Sequence, residues 1–327
     1  MERRYNSFGP HIKKIFGTAV YKVNVDAGFT CPNRDGTVGT SGCIYCNNDS
    51  FRPNSCRPTL PVSEQIRNGI QYIRKRYGAD KFLVYFQPYT NTYASVDVLE
   101  NLYREALSEP SVIGLAIGTR PDAVDEEKIS LLESLAEGHF ILVEYGMQSM
   151  FDRSLEFINR GHNYKTFNDA LDLTKDRGIS IGAHIIVGFP TETREEMLSM
   201  ADEISNLPID YLKIHQLQVI KDTPLEIIYK ENPFHVFEYE EYLDFVCDFL
   251  DRLSARVVLQ RLFATAPDKI LIAPQWGRSR QEILRDIEKR LEVRDVFQGK
   301  RVREPEFSSQ QAVSLRPHAE SVRRPLS

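Results

Sequence analysis

The sequence predicts an α/β protein: a partial barrel of six βα units followed by a C-terminal α/β extension. From about residue 20, short apolar runs alternate with amphipathic helical segments, and this alternation is typical of parallel strands covered by helices. Six units are fewer than the eight of a closed barrel, so we expect a partial barrel, with a doubly wound open sheet as the alternative. In either architecture, functional residues gather at the carboxyl ends of the strands.

The composition narrows the class of protein. The chain has 327 residues, 42% of them hydrophobic, and a formal net charge of −5, which argues against a general polyanion-coating protein. Five cysteines are an odd and low number, so metal-binding thiols in a reducing compartment are a better interpretation than a disulfide scaffold. The charged start and the lack of an apolar run of roughly 20 residues predict a cytoplasmic protein without a membrane association.

The first βα unit begins after an irregular basic lead-in over residues 1–18. Tyr21, Val23 and Val25 alternate with polar residues, which is the period of a strand. This strand leads directly into a Gly- and Thr-rich loop, so the loop is expected at the functional end of the sheet.

That loop, CPNRDGTVGTSGCIYC, places Cys31, Cys43 and Cys46 within sixteen residues. Three cysteinates can ligate three irons of a [4Fe–4S] cluster and leave the fourth iron open to a small molecule. The alternative is a structural zinc site with Cys56 as the fourth ligand, although zinc sites of this kind usually consist of two CxxC pairs.

Five more units repeat a helix and a strand. Further strands are predicted over 82–86, 112–119, 140–146, 180–188 and 211–220, and helices are predicted to begin near Ser63, Ser95, Asp125, Phe151, Tyr164 and Thr193. These six units form a predicted core over residues 1–220. The extension, 221–298, contains predicted helices at 237–253 and 278–293 and a possible strand at 256–263. Residues 299–327 have few apolar side chains, so we expect a disordered tail.

Polar residues stand near the ends of five successive predicted strands. They are Gln87, Arg120, Glu144, Gln148, His184, Lys213 and His215. Each one alone has an ordinary structural explanation, such as a local Arg120–Asp122 ion pair or a hydrogen-bonded core histidine at position 184. Because all of them lie at the same end of the sheet as the thiols, together they predict the lining of one site.

Several motifs carry a resemblance to a known family. They are GFTCPNRDGTVGTSGCIYCNNDSF, YFQPYTNTYA, GTRPD, EYGMQS, INRGH, GAHIIVGFPTET, LKIHQLQVIKDTPL and RLFATAPDKILIAPQW. With these motifs the chain resembles the radical S-adenosylmethionine (SAM) proteins. The resemblance is to the branch related to the catalytic subunit of Elongator and, within it, to the YhcC/YtqA-type proteins. It extends from about residue 5 to about residue 292 and implies the partial TIM-type barrel of radical SAM enzymes.

The resemblance implies a [4Fe–4S] cluster on Cys31, Cys43 and Cys46, with SAM bound at the open iron. It assigns SAM contacts to Tyr45, Gln87, Pro88, Glu144, Gln148, Val187, Gly188 and Pro190. Gln87 and Pro88 replace the Gly-Gly-Glu run that binds the SAM amino group in many members. Arg120, His184, Lys213 and His215 remain for the SAM carboxylate or for the substrate.

The implied reaction is reductive cleavage of SAM to a 5′-deoxyadenosyl radical, which abstracts a hydrogen atom from the substrate. An electron donor such as flavodoxin or ferredoxin is then a required partner. Relatives in the Elongator branch make the wobble uridine of tRNA the leading substrate, with Lys13–Lys14 or Arg74–Arg76 as possible phosphate contacts. A radical SAM enzyme for a small metabolite or a protein and a non-catalytic zinc-stapled α/β binding protein are the alternatives.

Overall fold

A computed structural model of the protein describes residues 3–47 and 59–302. Cys56 and the residues from 303 onward lie outside this range, and so do the predictions about a fourth zinc ligand and about most of the disordered tail. The helices are α1 (Phe8–Phe16), α2 (Val62–Tyr77), α3 (Val96–Leu107), α4 (Glu126–Ala136), α5 (Asp152–Phe157), α6 (Tyr164–Thr174), α7 (Arg194–Asn206), α8 (Pro224–Glu231), α9 (Tyr239–Arg252) and α10 (Arg280–Val293). The strands are β1 (Val20–Val25), β2 (Lys81–Phe86), β3 (Val112–Thr119), β4 (Phe140–Gln148), β5 (Ser180–Val187), β6 (Tyr211–Gln216), β7 (Val219–Ile220), β8 (Val258–Arg261) and β9 (Leu271–Ala273).

Seven strands form one parallel sheet in the order β1-β2-β3-β4-β5-β6-β8. The predicted partial barrel of parallel strands is therefore confirmed. The seventh strand, β8, comes from the segment predicted as an extension and pairs in parallel with β6. The proposed division of the chain at residue 220 stays a prediction.

Apolar side chains on the outer face of the sheet pack against the helices and form the largest core cluster. Val23, Val84, Val143 and Ile214 are almost completely buried there. The residues that alternate with them, such as Lys22, face the interior of the half-barrel. The alternating sequence pattern alone does not tell which of the two faces of β1 is the inner one.

Helix ends are fixed by local hydrogen bonds. The Asp125 side chain accepts a hydrogen bond from the Lys128 amide at the start of α4, as predicted. Thr193 and Glu196 form a capping box at the start of α7. The prediction that Ser63 begins α2 is wrong, because Pro61 precedes the first turn and the helix begins at Val62.

The prediction of an irregular lead-in over residues 1–18 is also wrong, because α1 occupies half of it. Gly9 and Pro10 lie in its first turn, where a missing amide donor costs nothing, and Gly17 (φ 73°) ends the helix. Ile12 is buried in a second cluster at the base of the half-barrel, with Phe8 and Phe16 packed against that cluster. The helix therefore closes the amino-terminal end of the barrel interior.

The predicted sixth strand, 211–220, is divided in the structure. Its first part is β6 in the main sheet, and its second part, β7, pairs antiparallel with β9. The residues between the two strands turn over the carboxyl end of the sheet, where Leu217 and Gln218 contribute to the wall of a cavity. In the described part of the chain, no helix combines the length and apolarity needed to cross a membrane.

Candidate active site

A cavity of about 250 Å³ opens at the carboxyl ends of the strands. Its upper wall is the cysteine loop, residues 31–46, which contributes all three cysteines of the motif. Its lower wall consists of side chains from β2, β4, β5, β6 and β8. The site therefore combines one loop, whose residues are close together in the sequence, with strand residues that are far apart along the chain.

Backbone hydrogen bonds shape the cysteine loop. The Cys31 carbonyl accepts from the Arg34 amide (2.8 Å), and the Cys43 carbonyl accepts from the Cys46 amide (3.0 Å). The Ile44 amide donates to the Ile158 carbonyl (3.0 Å), which fixes the loop on the segment that follows α5. Both CxxC thiols are consequently held by a turn and not by a flexible tether.

Two N–H donors approach the buried Cys43 sulfur. Arg160 Nη1 lies 3.6 Å from Cys43 Sγ, and Asn33 Nδ2 lies 3.8 Å from it. Arg160 Nη2 also donates to the Gly146 carbonyl (2.8 Å), so the guanidinium bridges the loop and the end of β4. Although burial alone lowers it, the Cys43 thiol and Tyr45 raise the pKa of Arg160 above its ordinary value. A permanent cation therefore lies beside this sulfur.

The donor set matches a cluster with three protein ligands. Thiolates are the ligands that iron–sulfur clusters use, and N–H groups directed at the sulfurs are the usual tuning contacts. Burial and then the Cys43 thiol raise the pKa of the Cys46 thiol to about 11, so binding of a metal there has to displace a proton. Within residues 3–47 and 59–302, no three Cys, His, Asp or Glu side chains converge tightly enough for a single metal ion.

Glu144 is the centre of a hydrogen-bond network below the cysteine loop, and its side chain is fully buried. Its Oε2 accepts from Lys213 Nζ (2.5 Å) and from His184 Nε2 (3.0 Å). Its Oε1 accepts from Lys22 Nζ (3.1 Å) and from Gln260 Nε2 (2.8 Å). Four donors on four different strands therefore share one carboxylate.

Glycines on the strands that flank β4 leave space for the Glu144 side chain. Gly118 and Gly182 are the register partners of Glu144 on the two neighbouring strands. A Cβ at Gly182 would lie 3.1 Å from Glu144 Cγ, so a side chain there would press on the network.

Burial and charge shift the titration of this network. Burial opposes ionisation of Glu144, but Lys213 and Lys22 hold the pKa of its carboxyl well below the usual range. Burial, followed by the nearby Lys213, lowers the pKa of His184 to about 4. Burial and Arg261 lower the pKa of His215 well below its usual value. At neutral pH both histidines are neutral, and the charges are those of Glu144 and the basic side chains.

Comparison with known families identifies the superfamily. Residues 31–204 match the Radical SAM superfamily, and residues 209–293 match the Radical_SAM C-terminal domain. The chain belongs to the radical SAM superfamily. The first match begins at Cys31, so the cysteine loop of this radical SAM protein is part of the matched region.

Relatives cover nearly the whole radical SAM chain. The uncharacterized protein MJ0486 of Methanocaldococcus jannaschii is 37% identical over 91% of this chain and 92% of its own length. The uncharacterized protein YtqA of Bacillus subtilis is 32% identical over 91% of this chain and 93% of its own length. The predicted resemblance to the YtqA-type branch is confirmed.

Two further matches are partial. A tRNA uridine(34) acetyltransferase of M. jannaschii is 30% identical over 42% of this chain and 26% of its own length. The solved structure of Elp3 from Methanocaldococcus infernus superposes with a TM-score of 0.67 at 21% identity, and the match covers 85% of this chain and 64% of that one. The second match shows a shared fold.

Most of the predicted site residues of the radical SAM core lie around one cavity. Those on its wall are Cys31, Cys43, Cys46, Tyr45, Gln87, Arg120, Glu144, Gln148, His184, Lys213 and His215. Gln148 has a positive φ of 64° beside a register shift in β4, which directs its side chain into the cavity. Arg120 forms a bidentate pair with Asp122 (2.8 and 2.6 Å), as the local interpretation predicted, and its Nη1 is buried without a partner in the described chain.

Four other predicted SAM contacts do not lie on this wall. Pro88 is buried and turns the chain after β2, where its carbonyl accepts from Asn91 Nδ2 (3.0 Å). Val187 belongs to the outer core, Gly188 packs toward the Phe237 ring, and Pro190 is exposed. The neighbouring Ile186 lines the cavity in their place.

The structure adds residues that the sequence did not single out. Tyr85, Arg160 and Arg261 line the cavity, and Lys22 and Gln260 complete the Glu144 network. Arg160 lies in the INRGH motif, so the sequence motif could have indicated it as a site residue. By contrast, Gln260 and Arg261 are both opposite Lys213 because β8 carries a bulge there, and no sequence pattern indicates such a bulge.

Proposed function

We propose that this protein is an enzyme that binds a [4Fe–4S] cluster and SAM and uses them to modify the wobble uridine of tRNA. One observation supports the cofactor assignment most strongly. The three thiols of the cysteine loop line the mouth of a cavity that has a polar lower wall. Among the described residues, no fourth cysteine lies in this loop. A ligand set of three protein thiols leaves a coordination position for a small molecule.

The chain's own residues have separate roles in this proposal. Cys31, Cys43 and Cys46 would hold the cluster, and Arg160 would orient the Cys43 sulfur by bridging it to the Gly146 carbonyl. Bound together, the cluster and SAM would supply a 5′-deoxyadenosyl radical for hydrogen abstraction. An external one-electron donor such as flavodoxin or ferredoxin is needed for that step.

Apolar residues near the loop would keep the site dry. Tyr45 and Ile44 pack against a buried cluster that includes Ile158, Ile186 and Leu217. Burial and the neighbouring Cys43 thiol raise the pKa of Tyr45 well above its usual value, so its hydroxyl stays neutral. Exclusion of water protects a reactive intermediate from side reactions.

The tRNA assignment is supported by the relatives. A tRNA uridine(34) acetyltransferase shares the matched segment of this chain, and the Elp3 structure shares its fold. The predicted phosphate contacts at Arg74–Arg76 and Lys13–Lys14 belong to the other end of the sheet. Both helices end just before the amino-terminal end of a strand, and Lys81 Nζ donates to the Phe16 carbonyl there.

The cofactor part of the proposal is tested by anaerobic reconstitution with iron and sulfide. We expect about four irons and four sulfides per chain and release of methionine and 5′-deoxyadenosine from SAM after reduction with dithionite. A protein that takes up one zinc ion, takes up no iron and leaves SAM intact would contradict it and support the zinc-stapled alternative.

The substrate part needs a separate experiment. Nucleosides of total tRNA from a strain that lacks this protein are compared by mass spectrometry with those of the parent and of a complemented strain. We expect one wobble-uridine derivative to disappear and a precursor to accumulate. An unchanged tRNA profile, together with active SAM cleavage by the purified protein, would reject tRNA and favour a metabolite or protein substrate.

A further inference from the structure

The lower wall of the cavity carries more positive than negative charge. Lys213 and Arg261 lie on this wall, and Lys22 contacts the same carboxylate, that of Glu144, from β1; we name these three side chains the cationic floor. Within the described chain, no second carboxylate lies within 4 Å of any of the three. With both histidines neutral, the three basic side chains of the floor share one carboxylate.

The strands bring these cations together in spite of their repulsion. Lys213 and Arg261 are register partners on adjacent parallel strands, where like charges are destabilising. Among the described residues, the Arg261 guanidinium has a single hydrogen-bond partner, His215 Nε2 at 3.3 Å. An arginine fork that no carboxylate occupies is suited to bidentate binding of an oxyanion.

Aromatic rings lie close to two of the floor cations. Lys22 Nζ lies 4.9 Å from the centre of the Phe8 ring of α1, and Lys213 Nζ lies 4.4 Å from the centre of the Tyr85 ring. Burial lowers the pKa of Lys213 well below its usual value, although Glu144 opposes this shift. An additional anion in the cavity would stabilise the charged lysine and so would bind with a favourable electrostatic energy.

We infer that the cationic floor binds an oxyanion, a carboxylate or similar group, that belongs to the substrate. The substrate is the preferred source because the floor side chains lie within the strands, whereas the cysteine loop lies beyond their carboxyl ends. In the proposed function, on which this inference rests, Cys31, Cys43 and Cys46 would hold the cluster and SAM would bind beside that loop. The acidic group of the substrate enters from the carboxyl ends and reaches past SAM to the floor.

The test uses the anaerobically reconstituted protein and ¹³C-labelled acetate as the probe, titrated by NMR at constant ionic strength. We expect saturable binding to the wild type, an at least tenfold weaker affinity for Arg261→Gln and partial recovery for Arg261→Lys, because a charged hydrogen bond is lost and then partly restored. Glu144→Gln removes the competing carboxylate and should tighten acetate binding. Lys75→Gln, an exposed change at the opposite end of the sheet, is the matched control.

Two results would overturn the inference. One is acetate affinity that is the same in wild type and Arg261→Gln, or weaker in a folded Glu144→Gln variant. The other is loss of acetate binding at saturating SAM, which would show that the floor takes the SAM carboxylate. Retained acetate binding with SAM present supports a substrate anion. Acetate binding to the chain without iron is measured in parallel, so that failure of cluster uptake and failure of the anion site are distinguished.

Discussion

The cysteine loop and the cationic floor face each other across one cavity, but they are built in opposite ways. The loop takes its three thiols from sixteen consecutive residues and shapes them with short-range backbone hydrogen bonds. The floor takes its side chains from strands β1, β6 and β8, and its hydrogen bonds reach Glu144 on β4 and Gln260 on β8. The metal-binding residues therefore come from one short segment of sequence, whereas the charge of the cavity depends on residues from the whole sheet.

This difference predicts unequal consequences of mutation for folding. Changes in the loop should affect cofactor uptake while the sheet remains intact. Changes in the floor should affect both the free energy of unfolding and ligand binding, because the buried charges there contact several strands.

The largest effect on stability is expected from Glu144→Ala. The substitution leaves the buried Lys213 and the partly buried Lys22 without their shared carboxylate, and loss of one partner of a buried ion pair typically costs about 3–5 kcal/mol. Glu100→Ala is the matched control, since it removes an exposed i,i+4 pair with Arg104 and should cost at most about 0.5 kcal/mol. The free energy of unfolding in urea measures both. Equal costs for the two variants would contradict the central role of Glu144.

A smaller effect concerns acid pH and His184. The pKa of this histidine is about 4 in the folded protein and 6.5 in an unfolded chain, so the unfolded state binds its proton first. Stability should fall as the pH drops from about 6.5 to about 4, by about 3 kcal/mol for this group. The groups around it are Glu144, Lys213, His215 and Arg261. His184→Gln keeps a donor to Glu144 and should flatten this part of the pH profile; a profile identical to the wild type would refute the assignment.

A further comparison uses two glycines, one within strand β4 and one in the turn that precedes it. A Cβ at Gly146 would lie 2.6 Å from Arg160 Nη2 and 2.6 Å from Gln148 Nε2, whereas a Cβ at Gly138 would meet no atom within 4 Å. We expect Gly146→Ala to cost about 1–3 kcal/mol and to reduce iron retention against a chelator, because Arg160 moves away from Cys43. Gly138→Ala should change neither quantity. Normal iron retention in Gly146→Ala would show that Arg160 does not position the thiol.

The smallest effect is expected at the amino-terminal end of the sheet. Arg74→Gln and Lys75→Gln alter exposed cations at the end of α2, away from the cavity. They should change the stability by at most about 0.5 kcal/mol and should leave tRNA affinity at 0.1 M salt unchanged. A clear loss of tRNA binding in a filter or gel-shift assay would mean that tRNA contacts this end of the protein.

Features that depend on neighbouring residues could be predicted from the sequence, whereas features that depend on contacts between distant residues could not. The cysteine loop was predictable because its ligands form a motif, and the βα repeat was predictable because apolar periodicity is local. Helix α1 was missed because Gly9 and Pro10 resemble helix breakers, although both lie in its first turn.

The floor and the Glu144 network around it were only partly predictable. Glu144, His184 and Lys213 appeared as strand-end residues, but Lys22 belonged to an ambiguous alternating pattern with no indicated inner face. Gln260 and Arg261 reach the site through a bulge in β8, a strand whose place in the sheet depends on pairing with a distant segment. Contacts of this kind come from tertiary structure and leave no periodic signal in the sequence.

The most direct measurement of the central claim compares Cys43→Ala with Cys247→Ala after anaerobic reconstitution. Cys43 lies on the cavity wall, whereas Cys247 is buried in the core on α9. The account predicts that Cys43→Ala loses most of its iron and all detectable SAM cleavage, while Cys247→Ala retains about four irons per chain and cleaves SAM. Full iron content and SAM cleavage in Cys43→Ala would contradict the assignment of the cysteine loop as the cluster site.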